Sequence, residues 1–304
     1  MVGVMLDEQG TSSARTAGAG RNGWRVWKYP VAGLVPLVAY MALFFFLPAA
    51  GVLVNAFRSN SGHFSLVNLR MATGGTYLKS LGVSVELSAV SATIAAVIGL
   101  VVVVGIVSSP SRLIQRVSGS LSAVLANTGG IPLAFAFIAT LGNFGIITKL
   151  LAGIGFNPYV HGFSLYSVSG LVIVYQYFLV PMMVLVMLPA VEGLRREWSE
   201  SVASLGGKRH HFWRHVGLPL LAPTFFSGLL VLFADAFAAY ATAAALAGGV
   251  IPLVPIEIGN FVSGNVIANQ AHLGDALGLE MVVLVMVVAV VYGTVQHRRA
   301  RWTR

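Results

Sequence analysis

Cysteine is absent from this chain, and charged side chains are scarce. The missing cysteine excludes disulfides, thiolate nucleophiles and cysteine-ligated metals. Only 10% of the 304 residues are charged and 57% are hydrophobic, whereas an ordinary soluble domain carries roughly 25% charged residues. Several apolar runs also reach the roughly 20 residues that cross a bilayer. These features together exclude an ordinary soluble domain and predict an integral membrane protein.

Sequence patterns for catalysis and nucleotide binding are also missing. The chain has no GxxxxGK[ST] phosphate-binding loop, no HExxH metal motif and no arrangement of Ser, His and Asp that indicates a nucleophile. We therefore expect no catalytic residue and no cofactor in this chain. Any ATP and Mg²⁺ that the protein uses would be bound by a partner.

Hydropathy predicts an all-α, polytopic membrane protein with six transmembrane helices, because only helices satisfy their own backbone groups in lipid without closing a barrel. The first run is too long for the core of a cleaved signal peptide, so we expect it to be retained. The predicted spans are about 31–54, 80–106, 119–142, 165–189, 219–245 and 277–296. The predicted division of the chain is a disordered tail (1–28), a first helix with an outer loop (29–79), a transmembrane domain (80–296) and a basic tail (297–304).

The distribution of basic residues predicts the orientation. If the amino terminus is cytosolic, 15 of the 19 Lys and Arg residues fall on the cytosolic side. The outer segments then hold only Arg58, Arg70, Lys79 and Lys149. By the positive-inside rule, both termini are predicted to be cytosolic, in a multi-pass protein of the cytoplasmic (inner) membrane. This accounts for the net charge of +9 without a nucleic-acid partner.

The long internal loop carries a helical pattern. Leu194, Trp198, Val202 and Leu205 recur at spacings of four, four and three, which predicts an amphipathic helix on the membrane surface. Gly206 and Gly207 would end that helix, since glycine adopts the left-handed conformation of a helix stop. A short return helix, 208–216, would then lead into the fifth span.

The same segment resembles the cytoplasmic signature of permease subunits in binding-protein-dependent ABC importers of type I fold. That signature is a Glu, two small residues, a Gly six positions after the Glu, and an Ile-x-Leu-Pro ending. Ser201 and Val202 replace the usual two alanines, and Val216 replaces isoleucine. The matching positions in this chain are Glu200, Ser201, Val202, Gly206, Val216, Leu218 and Pro219.

The resemblance implies a role for this segment and a set of partners. Residues 194–219 would form a coupling helix that docks on one of two separate ATPase subunits. A second permease, expected to be a homologue, and an extracytoplasmic solute-binding protein would complete the importer in the lipid bilayer. Transport would proceed by alternating access, driven by ATP that the partner subunits hydrolyse.

Polar residues inside the predicted spans are candidates for the substrate path, because ionisable groups at membrane depth are costly. Carboxylates facing a shared path would favour a cationic or amine-bearing solute; the alternative is that each is satisfied inside the bundle. Residues 127–132 would also interrupt the third span, as at some transporter binding sites. The candidates are Asp235, Glu86, Gln176, Asn127 and Tyr240.

A series of small residues near Asp235 refines the resemblance. Tyr240, Thr242, Leu246, Gly248 and Gly249 match the polyamine, thiamine, iron and phosphonate branch of the importer permeases. Ala239, however, stands where that branch often has an acidic residue.

Other readings remain open. His211 and His215 are four apart, as in some metal sites, but contact with lipid phosphates is favoured because no third ligand accompanies them. An ion-driven secondary transporter would use Asp235 as a proton site. A membrane-embedded enzyme would use Asp235 and Glu86 as catalytic carboxylates.

Overall fold

The computed structural model describes residues 34–59, 62–264 and 271–300, with the side chains at 196, 271 and 295–300 left out. The predicted tail at 1–28 and the last four residues of the predicted basic tail lie outside the described residues. Within them the fold is helical, and the one β contact is an isolated antiparallel bridge between Arg58 and Phe64. The all-α prediction is confirmed.

Fourteen α-helices follow one another along the described part of the chain, and π-helical turns occur at Ala42–Phe46 and Trp213–Gly217. The helices are α1 (Val35–Met41), α2 (Leu47–Ala56), α3 (Val67–Ala72), α4 (Gly75–Ser108), α5 (Arg112–Ala126), α6 (Ile131–Leu141), α7 (Ile146–Gly153), α8 (Val168–Glu192), α9 (Arg196–Ser204), α10 (Arg209–Phe212), α11 (Leu218–Ala238), α12 (Tyr240–Ala247), α13 (Val254–Val262) and α14 (Ala271–Ala300).

The chain divides into two compact units, residues 1–49 and 50–304. In the first unit, the described residues 34–49 form a continuous helical run. Pro36 stands in its first turn, where the missing N–H costs no helical hydrogen bond. The rings of Tyr40 and Phe44 lie 4.9 Å apart, and the side chains along the run are exposed and mostly apolar. An exposed apolar helix of this kind is suited to contact with lipid.

The second unit is built around α8, which packs against α4, α5 and α11. Leu171, Leu179 and Met183 on α8 are fully buried. Small residues on α4 allow a close approach: a Cβ added at Gly99 would lie 2.6 Å from the Met183 Cβ. Helices in membranes associate largely through such small-residue contacts, because lipid is as apolar as the side chains that it would replace.

A smaller core joins α3, α13 and α14. Phe261 from α13 packs here with Leu273 and Leu277 from α14. The buried Ser84 hydroxyl on α4 accepts a hydrogen bond from the Val254 N–H at 2.9 Å, which anchors the start of α13. Serine thereby supplies a partner that the first turn of a helix lacks.

Among the described residues, six helical segments are long and apolar enough to cross a membrane, so the predicted number of spans is confirmed. They are Val35–Ala56, Gly75–Ser108, Ile131–Gly153, Val168–Glu192, Arg209–Ala238 and His272–Thr294. The predicted third span at 119–142 is wrong in its bounds. Residues 127–130 break that apolar run, and α5 on their amino-terminal side packs against α8 as a separate helix.

Candidate functional site

The first part of the candidate site is residues 194–219, the predicted coupling segment. Its helix α9 begins after Arg195, whose backbone is extended, and ends at Ser204. Glu200 and Ser201 are exposed on it, whereas Val202 is half-buried. Leu205, the last residue of the predicted apolar stripe, is 88% exposed at the end of the helix. The segment therefore presents both a carboxylate and an apolar side chain on its open face.

Gly206 and Gly207 form the turn that ends α9, and the two glycines are required for different reasons. Gly206 has φ +77°, a left-handed conformation, and its missing Cβ would meet nothing within 4 Å. Gly207 is confined by packing: its missing Cβ would lie 2.6 Å from Val202 Cγ1 and 2.8 Å from the Val202 carbonyl oxygen. The Gly206 N–H donates to the Ala203 carbonyl and the Gly207 N–H to the Val202 carbonyl, each at 2.9 Å. These bonds pair carbonyls that a helix end leaves free.

From the turn the chain returns directly into a membrane span. The short helix α10 passes through the π-helical turn Trp213–Gly217 into α11, so that residues 209–238 form one continuous helical run. Val216 is half-buried, while Leu218 and Pro219 are exposed where α11 begins. A displacement of the Gly206–Gly207 turn would therefore be transmitted along a helix rather than absorbed by a loop.

The two histidines of this segment, His211 and His215, do not complete a metal site within the described residues. Their rings lie 6.3 Å apart. The Nδ1 of His211 accepts a hydrogen bond from the Lys208 N–H at 3.0 Å. No group of three His, Cys, Asp or Glu residues that could hold a metal occurs in the part of the chain that the structure describes.

The second part of the candidate site is a pair of helix breaks. The expected break in the apolar run 119–142 is present, since α5 ends at Ala126 and α6 begins at Ile131, where the third candidate span starts. The predicted fifth span at 219–245 is wrong in its bounds, since the helical run is Arg209–Ala238. Helix α11 ends at Ala238, Ala239 leaves helical geometry with ψ 88°, and α12 begins at Tyr240.

Side chains from other helices brace both breaks. Thr242 on α12 is 3% exposed, and its Oγ1 accepts a hydrogen bond from the Gly130 N–H at 2.9 Å and lies 3.3 Å from the Gly130 carbonyl oxygen. The Tyr175 hydroxyl donates to the Ala239 carbonyl at 3.2 Å. Broken helices persist at membrane depth only where such partners satisfy the freed backbone groups.

Three of the predicted path residues lie at these breaks with exposed side chains. Asp235 is one turn before Ala239, Tyr240 is directly after it and 45% exposed, and Asn127 opens the other break. The Asn127 amide donates to the Ala123 carbonyl at 2.8 Å. The two breaks thus place a carboxylate, a phenol and an amide on open surface next to backbone that has left helical geometry.

Gln176 is half-buried and serves packing between helices. Its Nε2 donates to the Val172 carbonyl at 2.9 Å and to the Ser91 carbonyl at 3.2 Å. Its side-chain oxygen is buried without a hydrogen-bond partner among the described residues. The structure therefore gives Gln176 a place between α4 and α8 rather than on the open surface.

Glu86 is exposed on α4 but lies apart from Asp235. Ala89 and Thr93, which follow it on the same side of α4, line a groove with Phe226, Leu229, Phe233 and residues of α14. At about 100° per residue, Asp235 is on the opposite side of α11 from those groove residues. The two carboxylates, which a shared path or a two-carboxylate enzyme site would require together, lie toward different sides of the bundle.

Three contacts that shape the site do not follow from the sequence pattern. They join Thr242 to Gly130, Tyr175 to Ala239, and Gly207 to Val202. A threonine or tyrosine hydroxyl inside an apolar run is a usable signal, because a buried hydroxyl needs a partner. Which backbone group it would bind depends on the packing of distant helices, as for Thr242 and Gly130.

Comparisons with known proteins agree with this architecture. No protein-family model matches the chain. The chain is 25% identical over 185 residues to the molybdenum transport system permease protein ModB of Mycobacterium tuberculosis, and equally to that of Mycobacterium bovis. Each match covers 59% of this chain and 66% of the relative, which is just under two thirds of that protein's length.

The fold is similar to that of solved ABC transporters. One is a bacterial ABC transporter involved in the import of the acidic polysaccharide alginate, with TM-score 0.69 and 14% identity, covering 88% of this chain and 94% of the other. Another is a bacterial alginate ABC transporter in complex with a periplasmic protein that holds an alginate pentasaccharide, with TM-score 0.69 and 16% identity, covering 88% and 93%. The chain therefore has the fold of an ABC importer's membrane subunit, as its resemblance to that family implied.

Proposed function

We propose that this chain is the membrane-spanning permease subunit of a binding-protein-dependent ABC importer. The observation that carries the proposal is the coupling segment: an exposed helix, α9, ends in a two-glycine turn and returns as a continuous helix into a membrane span. The similarity in fold to an ABC transporter that imports a solute supports it. The chain would perform no chemistry itself.

The coupling segment would dock on an ATPase subunit through α9 and its terminal turn. Glu200 would offer a carboxylate, and Leu205, which is 88% exposed, would enter an apolar part of the partner's cleft. Closure of two ATPases on ATP and Mg²⁺ would displace the Gly206–Gly207 turn. Helix α11 would carry that displacement to the break at Ala239 and open the path to the other side of the membrane.

The remaining partners and the orientation belong to the same proposal. A second permease subunit, a homologue of this chain, would complete the path across its exposed surfaces, and an extracytoplasmic binding protein would deliver the solute. Both termini would lie in the cytosol, in the inner membrane. A periplasmic binding protein bound to a solved transporter of similar fold supports the binding-protein part.

The expectation of a cationic solute rests on the exposed Asp235 carboxylate at the helix breaks. Glu86 adds little to it, because it lies toward another side of the bundle. The names of the similar proteins do not support this solute class: one belongs to a molybdenum transport system and another to a transporter of an acidic polysaccharide. The test compares the uptake of cationic and of anionic solutes by Asp235→Asn and by wild type, and its result decides the charge of the solute. Loss of uptake confined to cations supports the expectation, and unchanged uptake of both overturns it.

The importer proposal is tested by purifying the chain in mild detergent from its native membrane, identifying its partners by mass spectrometry and assaying ATP hydrolysis. Leu205→Gln should reduce recovery of the ATPase subunit. Val250→Gln is the matched control, because Val250 is 75% exposed on the segment predicted to face outward. The contrary result has three parts: the chain is recovered alone and still transports, Leu205→Gln has no effect, and Asp235→Asn abolishes transport. That result would contradict the importer proposal and indicate an ion-driven secondary transporter.

A further inference from the structure

A cavity of about 810 Å³ lies where two internal connections meet. On one side are the end of α4 and the start of α5, residues 107–115, and on the other are α9 and α10 with the turn between them. Its volume is within the range of roughly 300–1,000 Å³ that is usual for small-molecule sites. The coupling segment thus forms one wall of a half-open cavity whose opposite wall is the first internal turn.

The charged side chains that line this basic cavity all carry positive charge. They are Arg112 from α5 and Lys208 and Arg209 from the corner after the glycine turn. No carboxylate occurs among its described lining residues. None of the three cations makes an ion pair within the described part of the chain. Three unpaired cations in one concave space create a local field that favours an anion.

Neutral donors add to this field. Helix α5 has 15 residues and opens at the cavity with Ser111 as its amino-terminal cap. The Ser111 hydroxyl accepts one hydrogen bond, from the Ile114 N–H at 3.5 Å, and the first-turn N–H groups of Arg112 and Leu113 have no partner among the described residues. The hydroxyl-bearing residues Ser109 and Ser199 also line the space. Hydroxyls, backbone N–H groups and guanidinium groups together are the donors that phosphate oxygens accept from.

The lining also has an apolar part, which lies at the end of a membrane span. Val107 is in the last turn of α4, and Phe212 and Trp213 precede α11. Phe212 is 8% exposed. Cations beside apolar and aromatic side chains at a membrane boundary form a surface suited to a lipid headgroup and the first carbons of its chains.

We propose that the basic cavity binds a phosphate group, presented by an anionic lipid of the leaflet into which α4 ends. The cytoplasmic identity of that leaflet rests on the orientation in the proposed function, whereas the phosphate site itself does not. A bound phosphate would contact Arg112 on one wall and Lys208 and Arg209 on the other. It would thereby tie the coupling segment to the α4–α5 turn and stiffen the part that meets the ATPase.

The test measures binding of radiolabelled phosphatidylglycerol to the full-length chain in phosphatidylcholine nanodiscs, without any ATPase. The variant Arg112→Gln/Lys208→Gln/Arg209→Gln should lower the affinity roughly 1,000-fold, at about tenfold for each charge-assisted hydrogen bond to phosphate that is lost. Ala203→Trp, which fills the cavity without removing charge, should also block binding. The control Arg116→Gln/Arg214→Gln removes two exposed cations outside the lining, so it loses only the general attraction to an anionic surface and should lose far less affinity than the triple variant.

A second arm identifies the source of the phosphate group. Inorganic phosphate is titrated against the bound lipid: weak competition indicates a lipid site, and displacement at low phosphate concentration indicates a site for a free anion. The first result supports the proposal as stated, whereas the second retains the phosphate site and overturns the lipid as its source. Wild-type affinity in both the triple variant and Ala203→Trp, with monodisperse protein in gel filtration, would overturn it. Because no ATPase is present, failure of the importer proposal would leave this readout unchanged.

Discussion

Replacing Gly206 with alanine perturbs the coupling turn through the backbone alone. The φ of +77° at Gly206 is left-handed, and an added Cβ would meet no atom within 4 Å, so no steric clash with a neighbour contributes. A residue other than glycine in this conformation costs roughly 1–2 kcal/mol. That energy corresponds to a roughly 5- to 30-fold shift in the equilibrium between the observed turn and alternative ones.

The expected result is a permease that still assembles but couples poorly. Transport per ATP hydrolysed, measured in proteoliposomes that contain the complete importer, should fall by about the factor by which the observed turn is depopulated. Gly206→Asn is the matched control, because asparagine is several-fold enriched in the left-handed region, and it should lose less than Gly206→Ala. Gly206→Leu should lose at least as much as alanine.

A steric substitution one residue later separates backbone strain from packing. Gly207→Ala would place a Cβ 2.6 Å from Val202 Cγ1, so the addition of Val202→Ala should restore part of its coupling. The same Val202→Ala change should not rescue Gly206→Ala, where no contact is relieved. Equal coupling for wild type, Gly206→Ala and Gly206→Asn would refute the assignment of a left-handed turn as the coupling element.

Three further changes test the bundle. Thr242→Val leaves the Gly130 N–H without its 2.9 Å acceptor and should cost about 1–3 kcal/mol, seen as a lower Tm in detergent, while Thr242→Ser keeps the hydroxyl and should cost less. Gly99→Ala places a Cβ 2.6 Å from the Met183 Cβ and should lower the Tm by separating α4 from α8; Gly105→Ala, with open space around it, is its control. Burial raises the pKa of the Glu257 carboxyl above its ordinary value of 4.5. The folded state therefore holds this proton more tightly than the unfolded state, so stability falls as pH rises from about 4.5 through the raised pKa, and Glu257→Gln should flatten that part of a Tm-versus-pH profile.

The coupling segment was largely predictable because its signals are local. Helix periodicity ending at Leu205 and two adjacent glycines predict a helix and a stop, and the structure has α9 ending at Ser204 with a left-handed Gly206. The substrate-path candidates were less predictable. Gln176, Glu86 and Asp235 look alike in sequence as polar groups inside apolar runs, yet one is half-buried between helices and the other two lie toward different sides of the bundle.

The sequence by itself determined that the chain is a helical membrane protein with six spans and a structured internal loop. Apolar run length and 3.6-residue periodicity depend only on neighbours along the chain. Only the tertiary structure decided that the fifth span breaks at Ala239, that Thr242 holds the backbone of Gly130, and that Arg112 shares a cavity with Lys208 and Arg209. These features join residues up to 112 positions apart. The physical reason is that a backbone group freed in lipid must find a partner, and its location is set by how the helices pack.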